Sequence, residues 1–228
     1  MTPAPEPRVR RAGASRSSVF ASARVRVSAA LCALVGALLA SACSYPLVGN
    51  GERVAYDFGP ATLARGGEQS VAKQLLVYDV VAPAWMNSAS IHYRLAFRDA
   101  SRPQAYAGSR WVMAPAELLG ARLRQRLADA GAGVIVPGDG LRAPAALRVE
   151  LDEFSQVFDA QDRSRAVVRL RASLVGARAL IAQKSFSAQQ AAASHNAEGG
   201  VHALAAASDE VIEQLLDWVA ASLKDAKP

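Results

Sequence analysis

The chain has 228 residues and a formal net charge of +6, from 26 lysines and arginines against 20 aspartates and glutamates. Six arginines and one glutamate fall within residues 1–42, so five of the six charges belong to that segment and one to the rest. No basic patch interleaved with aromatic residues remains, and we therefore exclude nucleic acid as a partner.

The first 42 residues have the organisation of a bacterial secretory signal: Arg24 and Arg26 precede an apolar run over residues 27–42. That run would make about 24 Å of helix, which is short for a hydrocarbon core of about 30 Å. Residues 38–43, Leu-Leu-Ala-Ser-Ala-Cys, resemble a lipobox, in which the cysteine is acylated and becomes the new N-terminus. Residues 40–42 also fit an ordinary signal-peptidase site. We predict a lipoprotein signal peptide over residues 1–42 and lipidation of Cys43.

The rest of the chain divides into a linker and one domain. Residues 43–65 are rich in Gly, Pro, Ser and Asn, which predicts a flexible tether, with residues 56–58 as an edge strand. A single domain is predicted over residues 66–225, and it is large enough to bury a core without a disulfide.

Two strands are predicted at the start of the domain. Residues 75–81 form an apolar, β-branched run that ends before Pro83. Residues 91–98 alternate between polar and apolar side chains. The side chains expected to face inward are Ile91, Tyr93, Leu95 and Phe97. Residues 85–90 are expected to join the two strands as a hairpin.

A helix follows, with Pro115 in its first turn and its end at Gly131. A short strand over residues 133–136 comes next, and then three longer alternating segments joined by polar turns, which predict an antiparallel meander. Because Phe154 and Phe158 have the opposite parity to the apolar residues before them, we expect a bulge near Glu153.

A helix over residues 201–223 closes the chain. The fold class is therefore α+β: a single, mostly antiparallel sheet with two helices packed on one face, preceded by a signal peptide and a flexible tether.

The sequence contains no hydrolase, metalloprotease or phosphate-loop motif, so we expect no enzymatic activity. His195, Glu198 and His202 could share a metal, but solvated side chains near a helix start are the simpler interpretation. We therefore predict no metal site, and no cofactor apart from the covalent lipid on Cys43.

The candidate partner-binding residues are two pairs. Trp85 and Met86 lie in a loop after a strand, where a large apolar side chain favours contact with a partner. Arg122 and Arg126 share one face of the first long helix, where they would meet an acidic partner or a lipid phosphate; a solvated helix face is the alternative. Trp111 and Trp218 are expected in the core.

The order of motifs resembles the ABC-type transport auxiliary lipoproteins, which include the paraquat-inducible C-type lipoprotein of intermembrane lipid transport. The resemblance covers about residues 43–223, and the segments that carry it are residues 56–59, 77–85, 91–94 and 109–115. Its family-motif residues, interpreted as structural, are Tyr93, Arg94, Ser109, Arg110, Trp111 and Pro115.

The resemblance implies a non-enzymatic periplasmic domain that is lipid-anchored to the outer membrane; Ser44 after the cysteine fits that sorting. It implies as partners a mammalian-cell-entry (MCE) substrate-binding protein and an ABC permease with its ATPase, which together move phospholipid or similar lipid between membranes. A homo-oligomer stays open.

Two alternatives also stay open. One is a structural or assembly lipoprotein of the envelope, such as a lipopolysaccharide-assembly or TolB-like accessory module. The other is a secreted hydrolase, which requires a concave pocket that joins His92, His195 or His202 to a carboxylate.

Overall fold

A computed structural model describes residues 53–61, 71 and 73–225. The predicted signal peptide, Cys43 and most of the predicted tether lie outside these residues. Within them the chain forms eight strands and three helices, which confirms the α+β class. In chain order these are β1 (Val54–Tyr56), β2 (Gln74–Val77), β3 (Ser90–Leu95), α1 (Ala96–Asp99), β4 (Pro103–Trp111), α2 (Pro115–Asp129), β5 (Gly133–Ile135), β6 (Ala145–Ala160), β7 (Arg163–Gly176), β8 (Leu180–Ala191) and α3 (Ala197–Asp225).

The longest strand, β6, organises the sheet. On one side β7 pairs with it in antiparallel fashion, and β8 pairs with β7. On the other side β2 and β3 both run parallel to β6, with Leu75 opposite Ala145 and Tyr93 opposite Gln156. These two strands therefore lie end to end along one edge of β6. The predicted hairpin between them is wrong, because the strands of a hairpin are antiparallel neighbours.

The remaining strands extend this edge. β4 pairs antiparallel with β3, β1 pairs parallel with β4, and β5 pairs parallel with β2. The sheet is thus mixed, with the long antiparallel strands on one side and short parallel pairs on the other. β3 ends at Leu95, so Phe97 lies in the single turn α1 and is exposed, where the sequence predicts an inward strand position.

A register shift between Leu151 and Glu153 confirms the predicted bulge in β6. Before it, Leu147, Val149 and Leu151 are buried, and after it Phe154 is buried on the opposite parity. The extra residue keeps both halves of the strand facing the core.

The two long helices cover one face of the sheet, as predicted. α2 begins with Pro115 in its first turn, and Gly131 (φ +84°) follows its end. Apolar residues of α2 and α3, such as Leu123 and Val211, share one hydrophobic cluster with inward residues of β6 and β7. On the other face of these strands the exposed side chains include Arg148, Glu150, Arg169 and Arg171. None of the described helices covers this side, which we call the open face.

The aromatic core confirms one tryptophan prediction and refines the other. Trp111 is fully buried, and its ring packs against Phe58 and Phe154 at centroid distances of 5.6 and 5.8 Å. Trp218 is half-buried and packs edge-on against Phe186. Phe58 and strand β1 lie within the stretch predicted as tether, so folded residues already occur there, while the boundary at residue 66 stays a prediction.

Candidate interaction surface

Trp85 projects from the edge of the open face. It lies in a 3₁₀ turn, Ala84–Met86, which Pro83 precedes. Met86 is fully buried in the core, and Asn87 N donates to Ala84 O at 3.2 Å, so the turn is fixed to the domain. Trp85, one residue earlier, is 38% exposed. The turn thus holds a large aromatic side chain at the surface on a rigid base.

The exposed indole of Trp85 also packs against two side chains of β3. Its ring meets His92 edge-on at 5.3 Å, and the Arg94 guanidinium lies 5.1 Å from its centroid. Arg94 in turn donates from Nε and Nη2 to the two Glu153 carboxylate oxygens, at 3.3 and 3.4 Å. Ser155 Oγ donates to Glu153 Oε1 at 2.6 Å. This network orders Trp85 before any partner arrives.

The protonation of His92 fits this arrangement. Burial lowers the pKa of His92, the neighbouring Arg94 lowers it further, and Glu153 partly opposes the shift. At neutral pH the imidazole is therefore uncharged, so it lies beside the arginine without repulsion. The alternation of β3 directs His92 away from the core, and the indole of Trp85 covers part of its ring, so His92 is half-buried.

The same edge of β6 carries a second aromatic–arginine pair. Arg148 lies 5.0 Å from the centroid of the Tyr78 ring. Val81, which follows Tyr78 and precedes Trp85 in the chain, is exposed and forms a parallel β-bridge with Glu150 of β6. We call Tyr78, Arg148, Val81, Trp85 and Arg94 the open-face row. Tyrosine, tryptophan and arginine are the residue types enriched at the energetic centres of protein interfaces.

The structure separates the other predicted partner-binding residues from this row. Met86 is in the core, and Arg122 and Arg126 are buried between α2 and α3. The partner contact expected of these three residues is therefore corrected, and so is the alternative of a solvated helix face for the two arginines. Arg122 lies 3.3 Å from Asp209 and Arg126 lies 3.4 Å from Glu213. Asp209 and Glu213 are more than 80 residues away in the chain, so no local sequence pattern predicts these pairs.

Arg122 has a further role that ties the first strand to the helices. Its Nη2 donates to the carbonyl oxygens of Phe58 and Gly59, at 3.2 and 2.6 Å. A charged donor to two backbone acceptors fixes the residues after β1 against α2.

The family-motif residues have structural positions, apart from Arg94 in the open-face row. Tyr93 lies 4.6 Å from the Tyr106 ring and donates to Gln104. Ser109 and Arg110 pair with Val54 and Ala55 across β4 and β1. Trp111 is in the core and Pro115 starts α2.

A buried polar chain lies on the inner side of the sheet and was not predicted. Tyr106 Oη donates to Gln156 Oε1 at 2.8 Å, and Gln156 Nε2 donates to Ser164 Oγ at 2.8 Å. His195 Nδ1 lies 3.4 Å from the same hydroxyl. Burial raises the pKa of Tyr106 to about 12, so the phenol stays protonated as a donor. The one sequence signal was Gly199-Gly200, which permits the start of α3 to approach Gln156 closely.

An open cleft of about 260 Å³ lies between the residues after β1 and the first turns of α3. Asp57 and His202 both line it, so the structure does place one histidine and one carboxylate at a common concavity. The Asp57 carboxylate accepts the Gly59 N–H at 2.7 Å. The described residues that line the cleft include the phenol of Tyr56 but no serine, threonine or cysteine.

Across the described part of the chain, no group of three or more His, Cys, Asp or Glu is arranged to hold a metal ion. His195 instead contacts Ser164, and His202 is exposed. None of the described helices is both long enough and apolar enough to span a membrane.

The fold and this surface define a class of protein: a single-sheet α+β domain with one face covered by helices and one face left open. Within that class, the chain belongs to the family of ABC-type transport auxiliary lipoprotein components, whose family model matches residues 56–216. The chain is thus a membrane-associated lipoprotein component that accompanies an ABC-type transport system. No curated protein sequence matches the chain.

Solved structures show the same fold. Protein XCC0632 from Xanthomonas campestris, of family DUF330, has a TM-score of 0.62 at 20% identity, over 76% of this chain and 94% of its own. An uncharacterized protein has a TM-score of 0.56 at 15% identity, over 74% of this chain and 99% of its own. At these identities the likeness establishes the fold alone.

Proposed function

We propose that this chain is an outer-membrane-anchored periplasmic lipoprotein that serves an MCE and ABC-type system for moving phospholipid or similar lipid between membranes. It acts without catalysis or cofactor, as a docking component. The family match is the observation that carries this proposal. The lipobox-like residues before Cys43 support the lipid anchor, and Ser44 after it supports sorting to the outer membrane.

The open-face row is the proposed docking site for the transport machinery. Trp85 is exposed, yet Met86, His92 and Arg94 already fix its position. A partner that covers the indole therefore loses little side-chain entropy on binding. The partially exposed aromatic–arginine pairs offer both apolar area and charge to a protein surface.

The anchor is tested with Cys43→Ala and membrane fractionation. The unaltered protein is expected in the outer-membrane fraction, because several acyl chains make release very slow. The Cys43→Ala variant is expected in the soluble periplasmic fraction or held as an uncleaved precursor in the inner membrane. Outer-membrane association of this variant at the unaltered level would contradict the proposed anchor.

The docking site is tested with a photoreactive amino acid at Trp85 and, as a control, at Leu180. Leu180 is an exposed apolar residue at the start of β8, 56% exposed and outside the open-face row. We expect position 85 to crosslink to an MCE protein or the permease, and position 180 not to. Crosslinking only to assembly factors of lipopolysaccharide or to TolB-like modules would favour the accessory alternative instead.

A further inference from the structure

Strand β8 is an edge of the sheet along its whole length. It has twelve residues, Leu180–Ala191, and pairs with β7 alone, whereas the terminal strands β1 and β5 have three residues each. Long edge strands usually carry charged residues or a proline, because their free backbone groups pair readily with other chains. β8 has no proline and one charged residue, Lys184. The protein thus leaves this edge open to pairing.

The register with β7 shows which backbone groups of β8 are free. Ala192 N donates to Ser164 O at 3.0 Å, and the pairing continues in step from Ala191 back to Ala182. Opposed residues of antiparallel strands alternate between bonded and non-bonded pairs. The even-numbered residues of β8 therefore bond to β7. The residues whose N–H and C=O groups point to the free side are Gln183, Ser185, Ser187, Gln189 and Ala191.

This row of donors and acceptors is complementary to another extended backbone, as in strand addition to a sheet edge. The β8 strand of a second copy offers the same row over the same length. Two copies related by a two-fold axis pair such strands antiparallel, and each surface then contacts its own equivalent. The edge is therefore complementary to itself.

Charge complementarity selects one register of this pairing. An axis at Ser187 places Lys184 opposite Gln190 of the second copy, whose Nε2 donates to Glu210 Oε2 at 2.7 Å. Lys184 then lies beside the Glu210 carboxylate across the seam. Neither Lys184 nor Glu210 forms an ion pair among the residues the structure describes. An axis at Ser185 would instead place the two Lys184 side chains diagonally across the seam, which is unfavourable for like charges.

The position of α3 is compatible with such a seam. α3 packs over both β7 and β8, with Trp218 edge-on against Phe186 and Glu210 bonded to Gln190. In a continuous sheet the α3 helices of the two copies would lie about two strand spacings apart, which is about 10 Å. This distance is close to the interaxial distance of packed helices. The helices therefore leave room for the strands to pair.

We infer that β8 pairs with β8 of a second copy about a two-fold axis at Ser187, so that two domains share one continuous sheet. The inference concerns a surface separate from the open-face row and does not depend on the proposed transport role. It assigns Lys184 and Glu210 as the ion pair that sets the register.

Disulfide crosslinking tests this register in membranes of cells that produce the full chain. In a bonded antiparallel pair the opposed Cα atoms are about 5.5 Å apart, which suits a disulfide. Ser187→Cys therefore places two thiols together at the axis. Ser185→Cys is the matched control, an exposed serine on the same face of the same strand. Its equivalent in the second copy is four residues out of register, about 14 Å away.

We expect at least about fivefold more disulfide-linked dimer with Ser187→Cys than with Ser185→Cys, because only the first pair is within reach. The unaltered protein, which retains Cys43, shows any dimer that Cys43 itself forms. Adding Lys184→Glu to Ser187→Cys should reduce the dimer by about threefold or more, because it brings like charges together at the seam. Adding Glu210→Lys as well should restore it.

Thermal unfolding of each variant checks that it is folded, and mass spectrometry identifies the linked species. Equal dimer at positions 185 and 187, or no dimer above that of the unaltered protein, would overturn the inference. A disulfide between position 187 and a different protein would overturn the second copy as the occupant. No effect of Lys184→Glu, or no recovery with Glu210→Lys, would overturn the register.

Discussion

His92 shows how one side chain links the sheet to the exposed indole. Its ring is covered by Trp85, and burial and Arg94 together lower its pKa. The unfolded chain has the ordinary value of 6.5, so below that pH the unfolded state binds more protons than the folded state. The contribution of His92 to stability is therefore complete above pH 6.5 and declines as the pH falls below it.

The first prediction follows from this coupling. Arg94→Gln removes the neighbouring positive charge, so the pKa of His92 should rise toward its ordinary value. An NMR titration of the His92 ring protons measures it. Arg148→Gln is the control, because Arg148 contacts Tyr78 and not His92. An unchanged His92 titration in Arg94→Gln would show that Arg94 does not act on the imidazole.

Gly200 is a second residue at which close packing determines how a substitution changes the stability of the fold. A Cβ at this position would lie 2.8 Å from Gln156 Cδ, and Gln156 is fully buried and bonded to both Tyr106 and Ser164. Gly200→Ala must therefore displace the amide and break a hydrogen bond of the buried chain. We predict a loss of about 1–3 kcal/mol in the free energy of unfolding, measured by urea denaturation.

A second glycine supplies the matched control. Gly120 lies inside α2, and an added Cβ there would meet Val80 at 3.5 Å, which is ordinary van der Waals contact. Gly120→Ala should therefore stabilise the protein by up to about 1 kcal/mol through helix propensity. If Gly200→Ala leaves the free energy of unfolding unchanged or raises it, as expected for Gly120→Ala, the close approach of α3 to Gln156 is wrong.

Residue-scale patterns in the sequence predicted only part of this arrangement. The parity change at Phe154 was sufficient to predict the bulge, because a strand must keep its apolar side chains on one face. The exposure of Trp85 and the burial of Met86 could not be predicted from the sequence, because both depend on the 3₁₀ turn that contains them.

At the scale of elements, the contact between α2 and α3 is held by charge as well as by apolar packing. Arg122 pairs with Asp209 and also bonds the carbonyls after β1, so three separate elements meet at one guanidinium. Replacing it leaves a mostly buried carboxylate and two backbone acceptors without this donor.

The third prediction concerns this contact. Arg122→Met should lower the free energy of unfolding by about 3 kcal/mol, at the lower end for a broken buried pair because Asp209 retains some exposure. Arg124→Gln on the same helix is the control: its partner Asp79 is almost fully exposed, and we expect a change below about 1 kcal/mol. Equal effects of the two substitutions in urea denaturation would contradict a structural role specific to Arg122.

The elements with a strong local signal were predicted, and those set by distant pairing were not. Pro115 and the leucines of α2 identify that helix from within, and the β6–β7–β8 meander follows from alternation and short turns. The end-to-end placement of β2 and β3 depends on β6, which comes more than 50 residues later. β4 was missed because its small and polar residues give only weak alternation.

At the scale of the whole molecule, the two faces of the sheet have separate tasks in this account. The inner face packs against the helices and provides stability, and the open-face row is the proposed docking site for the transport machinery. The family sets the broad role as an auxiliary lipoprotein of ABC-type transport. The sequence resemblance had already indicated that role, whereas the surface that would serve it required the folded structure.

Co-purification from detergent-solubilised membranes tests the central claim most directly. Tagged unaltered protein should recover the MCE protein and the permease, and Trp85→Ala should reduce that recovery by about 10-fold or more, as for a central interface tryptophan. Leu180→Ala should leave it unchanged. Full recovery with Trp85→Ala, or no transport component with the unaltered protein, would contradict the account.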